Sequence, residues 1–275
     1  MWNNILVVFS PSHQGHASLK YAMNIAKGID ASMLRLLFVI PTARIAIPIP
    51  LPPQGTFSPI PVRDSPEYRD LIDIAATRLS EFRDICGKSD IESTGTTILG
   101  KRGYLVAEMA TLCHLVVCEK RNDMHPMDRR YREISLGAIS RAAHIPLLAV
   151  PPEYDEINVV QTLYDGTLRS SSSLGFSMHL AQILGVKLRV LLINGPEFRA
   201  EDMERRVQSI LTEFLSHCEA SVLVVKKAKR VIERFGSEKE VITAIDPGWY
   251  SNFMRFRLSR NQAVHMFEGP VALVP

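Results

Sequence analysis

The chain has 275 residues, 46% of them hydrophobic and 22% charged, which is enough apolar material for a buried core and enough length for two ordinary domains. Its 32 basic and 29 acidic side chains leave a formal charge of +3, too even a balance for a dedicated nucleic-acid binder or a protein held to a membrane surface by charge. No apolar run approaches the roughly 18 residues that cross a bilayer, and the opening MWNNILVVFS lacks the basic start and long apolar stretch of a secretory signal, so a cytoplasmic protein without membrane insertion is expected.

The first element is the apolar run ILVVF (5–9), a strand, followed by SPSHQGHAS (10–18) and a helix. Leu19, Met23, Ala26 and Ile29 are spaced by 4, 3 and 3 along that helix and form one stripe suited to packing on a sheet. SMLRLLFVI (32–40) is rich enough in Leu, Val and Ile for a strand buried on both faces. The segment 41–66 then carries prolines that favour an extended, polyproline-like insertion over a helix or central strand. Ser65 caps the next helix, Pro66 suits its first turn, and Leu71, Ala75, Leu79 and Phe82 make its apolar face. A short strand at 93–99, a helix, a strand near 114–118, another helix and the run LLAV (147–150) complete the first half.

The second half repeats the first. Ser10 and Asp165 stand 155 positions apart, and at that offset the first helix stripe falls on Leu174, Met178, Ala181 and Leu184. KLRVLLI (187–193) answers the second strand, Met203, Val207, Ile210 and Phe214 answer the second helix, and strands are expected at 221–226 and 240–245. The closing IPLLAVP (145–151) and GPVALVP (269–275) match at an offset of 124. Strand and helix alternate throughout, which predicts an α/β protein of two tandem, open, doubly wound parallel sheets of about five strands each. The division falls near Pro151-Pro152, giving domains of residues 1–152 and 153–275.

In such sheets ligands collect at the carboxyl ends of the strands, where the strand order reverses. In the second half that tip is Asp165-Gly166-Thr167, then Ser170 to Ser173 at a helix start. A carboxylate and free N–H groups there suit a ribose or amine and an anion, but the same residues are also what a helix start prefers for capping. The first half has Ser10 in place of the carboxylate, with His13 and His16 in the turn, read as solvated loop histidines for want of further ligands nearby.

The paired patterns ILVVFSPS…ASLKYAMNIA and VVQTLYDGT…SLGFSMHLAQILG, with SLGAISRAAHIPLLAVP, resemble the universal stress protein family in two tandem copies. The resemblance implies an adenine nucleotide alpha hydrolase-like fold and pairing of LLAV (147–150) with VALV (271–274) inside this chain, as a pseudo-dimer. It also implies a stress-response binding or regulatory role, and leaves a homodimer and a separate protein partner open. Nucleotide-binding members carry Gly-x2-Gly-x9-Gly-(Ser/Thr) after the fourth strand and an aspartate after the first that contacts adenine. With the third glycine on Gly137, the others become Met124 and Met127, and the hydroxyl position becomes Ala138. Carried over by the 124 offset, the second-half frame is Gly248, Ser251, Asn261 and Gln262, with Asp165 matching the adenine aspartate. Each half keeps a different fragment, so ATP, with magnesium only as its companion, stands as the alternative of a switch with slow hydrolysis centred on Asp165 and Gly248. A regulatory module of a membrane transporter is the other alternative, since similar domains occur there.

Lys120, Arg121, Arg129, Arg130 and Arg132 in the first-half loop, and Arg255, Arg257 and Arg260 in the second, read either as phosphate or carboxylate receptors or as a solvated basic face. A third cluster, Lys226, Lys227, Lys229 and Arg230, reads the same way. The sequence has no nucleophile elbow, no placeable carboxylate pair and no metal motif, so neither catalytic nor metal-binding residues are assigned. Cys86, Cys113, Cys118 and Cys218 form no CxxC pair and are expected as reduced thiols, mostly buried.

Overall fold

The first strand sets the pattern for the molecule. Residues Ile5 to Phe9 of β1 (Asn4–Phe9) are all buried, which requires both of its faces to be covered and both of its edges paired. The structure, a computed structural model, describes residues 2–9, 15–29, 33–40, 46–48, 59–61, 66–100, 102–120, 136–193, 200–214, 218–225, 228–246 and 264–275.

After β1, helix α1 (His16–Lys27) returns the chain to β2 (Met33–Ile40). Two three-residue strands, β3 (Ala46–Pro48) and β4 (Pro59–Pro61), pair antiparallel inside the proline-rich insertion. The expected extended excursion is thus in part a small ribbon, which tolerates proline because a two-stranded ribbon consists only of edges. Next come α2 (Pro66–Gly87), β5 (Glu92–Leu99), α3 (Arg102–Ala110), β6 (Leu115–Glu119), α4 (Leu136–Ala143) and β7 (Leu147–Val150). The second half follows as β8 (Val159–Tyr164), α5 (Leu168–Leu184), β9 (Lys187–Ile193), α6 (Ala200–Phe214), β10 (Ala220–Val225), α7 (Ala228–Phe235), β11 (Val241–Ile245) and β12 (Val271–Leu273). Of the helix expected before the last strand, only its end is described, where Val264 and His265 are helical.

The other ten strands lie in the order β10-β9-β8-β11-β12-β7-β6-β1-β2-β5. Counted within each half, both sheets run third, second, first, fourth, fifth, with all neighbours parallel. The two parallel sheets are therefore present and are joined edge to edge into one. The joint is antiparallel: Val271, Ala272 and Leu273 of β12 face Ala149, Leu148 and Leu147 of β7. That pairing covers two apolar edges that would otherwise lie open.

Alternate residues of β1 serve opposite faces. Ile5, Val7 and Phe9 enter the layer under α1, α2, α5 and α6, while Leu6 and Val8 enter the layer under α3, α4 and α7. The first of these layers runs across the joint without interruption, from Val117 through Leu148 and Ala272 to Ile242. Leu19, Met23 and Ala26 of α1 and Leu174, Met178 and Ala181 of α5 are buried in it, with Ile29 and Leu184 at its margin.

Side chains tie the halves together over the joint. The Asp155 N–H donates to the Tyr21 hydroxyl oxygen at 3.0 Å, and Asn24 donates to the Tyr154 hydroxyl at 3.4 Å. Burial pushes the Tyr21 phenol up to about 12, so it stays neutral in its contact with Tyr154, 4.7 Å between ring centroids. The Ser140 hydroxyl donates to the Leu273 carbonyl at 3.1 Å. Where α1 ends, a Cβ on Gly28 would fall on the Ile183 carbonyl oxygen, so glycine lets α1 and α5 approach at backbone distance.

Pairing also fixes a register that sequence matching had left at one value. Ile5 faces Leu115, and its counterpart Val160 faces Ile242. Leu115 and Ile242 are 127 positions apart, whereas Leu147 and Val271 are 124 apart. The fourth-to-fifth connection of the second half is therefore three residues shorter, and a single offset of 124 does not carry a motif across it.

Candidate functional site

Strand order reverses between β8 and β11 in the second half and between β1 and β6 in the first, which places the candidate crevices at those tips. At the end of β8, Gly166 has φ +84, a left-handed turn that side chains resist. It lets the chain fold back so that Asp165 Oδ1 accepts from the Thr167 N–H at 3.1 Å and from the Thr167 hydroxyl at 2.7 Å. Thr167 is the N-cap of α5, and its Oγ1 accepts from the Ser170 N–H at 3.2 Å. The Ser170 hydroxyl donates to the Thr167 carbonyl at 2.9 Å, and the Ser171 hydroxyl to the same carbonyl at 3.0 Å. These hydroxyls and one carboxylate oxygen are turned inward on the turn's own backbone, which is capping chemistry.

The first-half tip is built of aromatic rings. Gly15 has φ +75, and a Cβ there would lie 2.5 Å from the Phe9 ring. Phe9 and Phe82 meet with centroids 4.7 Å apart, and His16 stands edge-on to Phe82 at 5.2 Å. His16 Nε2 lies 3.1 Å from Glu81 Oε1, both about half exposed. His16 is thus a partnered residue at a helix start. His13 lies outside the described residues.

Lys120 departs from both sequence readings. It follows β6 directly, yet it is 3% exposed, and its Nζ donates to the carbonyls of Phe267, at 2.8 Å, and Gly269. It is neither an anion receptor nor part of a solvated face. It crosses the joint into the segment that leads to β12. Burial lowers its ammonium to about 7, and the two carbonyl acceptors oppose that shift by favouring the charged form. The nearby His265 is held below its usual value, first by burial and then by the Lys120 charge.

Of the residues assigned from sequence, the structure brings Asp165, Gly166 and Thr167 together in one turn with Ser170. Gly137 is the second residue of α4. Ser10, Gly248, Ser251, Asn261 and Gln262 lie outside the described residues, as do Met124 and Met127 and the arginines of both loops. Among the described residues no group of His, Cys, Asp and Glu could hold a metal ion, and no helix is long and apolar enough to cross a membrane. Cys86, Cys113 and Cys118 are buried free thiols, and Cys218 is half-buried. A surface groove of about 390 Å³, lined by Ser80, Arg83, Asp84, Gly87, Ile91 and Ser93, lies where the end of α2 meets the start of β5.

Sequence reasoning missed Lys120 because its acceptors are 147 and 149 residues away and it sits in the charged run Glu119-Lys120-Arg121. It also missed a polar network inside the second half. Arg189 Nη1 donates to Gln161 Oε1 at 3.1 Å and to Glu238 Oε2 at 2.6 Å, and Gln161 Nε2 donates to the Thr243 hydroxyl at 3.3 Å. A glutamine in the middle of the apolar run VVQTLY was the available signal.

Neither a protein-family model nor a curated protein sequence matches the chain. Solved structures do match along its whole length. A universal stress protein from Archaeoglobus fulgidus DSM 4304 superposes with a TM-score of 0.68 at 14% identity, over 98% of this chain and 95% of that one. A putative universal stress protein from Pseudomonas aeruginosa UCBPP-PA14 gives 0.57 at 13% identity, over 99% and 93%. The cytoplasmic domain of a prokaryotic cation chloride cotransporter gives 0.56 at 11% identity, over 99% and 95%. The chain has the universal stress protein fold.

Proposed function

We propose that this chain is a tandem universal stress protein, with domains of residues 1–152 and 153–275 joined as a pseudo-dimer through β7 and β12. In this reading it is a cytoplasmic stress-response protein that binds and regulates, without turnover chemistry, and its nucleotide motifs are degenerate. The observation that carries the proposal is the inward hydrogen bonding of the β8–α5 turn, where Asp165 Oδ1 is committed to Thr167. Two further observations support it: Phe9 and Phe82 fill the matching tip of the first half, and Met124 and Met127 stand where phosphate-cradling glycines would be. A Cβ at either place keeps the backbone away from phosphate oxygens. The commitment of Asp165 Oδ1 to Thr167 weighs against a nucleotide held through that carboxylate. Native mass spectrometry of the protein purified from its own cells tests the reading. Protein mass without adenine nucleotide is expected, and stoichiometric ATP overturns it in favour of the slow ATPase switch.

A second reading, a regulatory module for a membrane transporter, is favoured by the match to the cotransporter's cytoplasmic domain, which extends over 99% of this chain. Membrane fractionation decides it: recovery with washed membranes, lost when a transporter is removed, supports the module, and recovery wholly in the soluble fraction contradicts it.

A further inference from the structure

Equivalent strands close the two ends of the sheet, and they meet water differently. Each follows the second helix of its half, and among the described residues β5 pairs only with β2 and β10 only with β9. The strand β5 reads ESTGTTIL, and its exposed positions are Glu92, Thr94, Gly95, Thr96 and Thr97. Charge, small polar side chains and glycine are what a solvent-facing edge ordinarily carries. By contrast β10 reads ASVLVV, with no charge and no proline. Ala220, Ser221 and Val224 are nevertheless exposed, Val224 at 45%, and Val222 and Leu223 only half-buried. Its sequence is that of a covered strand, while among the described residues its outer edge is unpaired.

We propose that β10 is the strand through which two copies of this chain pair, antiparallel, about a two-fold axis perpendicular to the sheet. The chain already contains that joint once, because the last strands of its two equivalent halves pair antiparallel while α1 and α5 stay on one face of the continuous sheet. Pairing β10 with its mate repeats the operation at the other edge of the same five-stranded unit. Charge favours this occupant and this direction. The sequence places Glu219 just before β10 and Lys226-Lys227 just after it, so an antiparallel pair brings the acidic end of each strand to the basic end of the other, and a parallel pair sets like against like. Glu219 holds Lys187 at 2.8 Å while remaining 70% exposed, within reach of a second cation.

Sedimentation equilibrium of the full chain from about 1 to about 100 µM tests the pairing, with Val224→Lys on β10 compared against Thr96→Lys on β5. Both positions are exposed, and circular dichroism checks the fold; if Val224→Lys fails to fold, Ser221→Lys places the same charge on the same edge. The expected result is a wild-type dimer, a dissociation constant raised about tenfold or more by the β10 lysine, and no change from the β5 lysine. A wild type that stays monomeric across the range overturns the proposal. So does a dimer indifferent to Val224→Lys, a dimer lost in Thr96→Lys, or an edge found occupied by an extended peptide from another protein.

Discussion

The two halves repeat each other strand for strand and differ in what they bury at the third position of the first strand. In the first half Leu6 lies between Arg35 and Val116, and in the second half Gln161 lies between Arg189 and Thr243. Gln161 and Thr243 are buried and bonded to one another, and Arg189 reaches both Gln161 and Glu238 with its guanidinium 5.0 Å from the Phe235 ring. Arg35 has no such frame: its Nε is buried with no hydrogen-bond partner among the described residues. The same topology thus supports an apolar interior and a satisfied polar one. Backbone pairing and the helix stripes hold the fold, while the polar groups distinguish one half from its copy.

The joint between the halves is where that comparison breaks most readily. Gly28 and Gly185 each follow the first helix of their half, but only Gly28 has a neighbouring backbone in the way. Gly28→Ala is expected to cost about 3 kcal/mol by forcing α1 from α5. Gly185→Ala, at φ +65 with open space around it, is expected to cost about 1 kcal/mol of backbone strain. Urea denaturation of the two variants measures the difference, and equal losses would mean that the α1–α5 approach is not tight.

Lys120→Met comes next. It leaves the Phe267 and Gly269 carbonyls without their donor, a loss of about 2 kcal/mol. The lysine also makes stability depend on pH. Its folded value of about 7 lies below the roughly 10.4 of an unfolded chain, so between those values the native state binds fewer protons. The wild type should therefore gain stability over Lys120→Met as pH rises from 7 to 9, by on the order of 1 kcal/mol per unit. A difference that is flat or falling with pH contradicts a buried, partly neutral lysine.

Gln161→Leu gives the second half the residue of the first. It removes one acceptor from Arg189 and the donor from Thr243, for an expected loss of about 1 kcal/mol; a neutral or stabilising result would show that the network is dispensable. The smallest effect is expected from Asp165→Ala, since Thr167 still caps α5 through the Ser170 N–H. The midpoint should fall by less than about 1 kcal/mol equivalent, and a larger loss would make the Asp165 turn a structural keystone.

Much of the fold was legible in the sequence because it depends on local periodicity. The expected strands at 93–99, 114–118, 221–226 and 240–245 fall within a residue of β5, β6, β10 and β11, and LLAV (147–150) is β7. The helix stripes through Leu19 and Leu174 were legible for the same reason. The pairing of LLAV with VALV came from resemblance, since nothing in either names its partner, and its antiparallel direction came from the structure alone. The site was legible only in part. Asp165, Gly166 and Thr167 declare a turn, but whether their oxygens face a ligand or their own backbone depends on geometry that residue type does not carry. Lys120 and the Tyr21–Asp155 contact depend on groups more than a hundred positions away, where no short pattern reaches.

Isothermal titration of nucleotide-free protein with ATP and magnesium tests the central claim, that neither strand-tip crevice is still shaped for a triphosphate. The account predicts no saturable heat below about 1 mM. Micromolar binding that disappears in Asp165→Ala would contradict it.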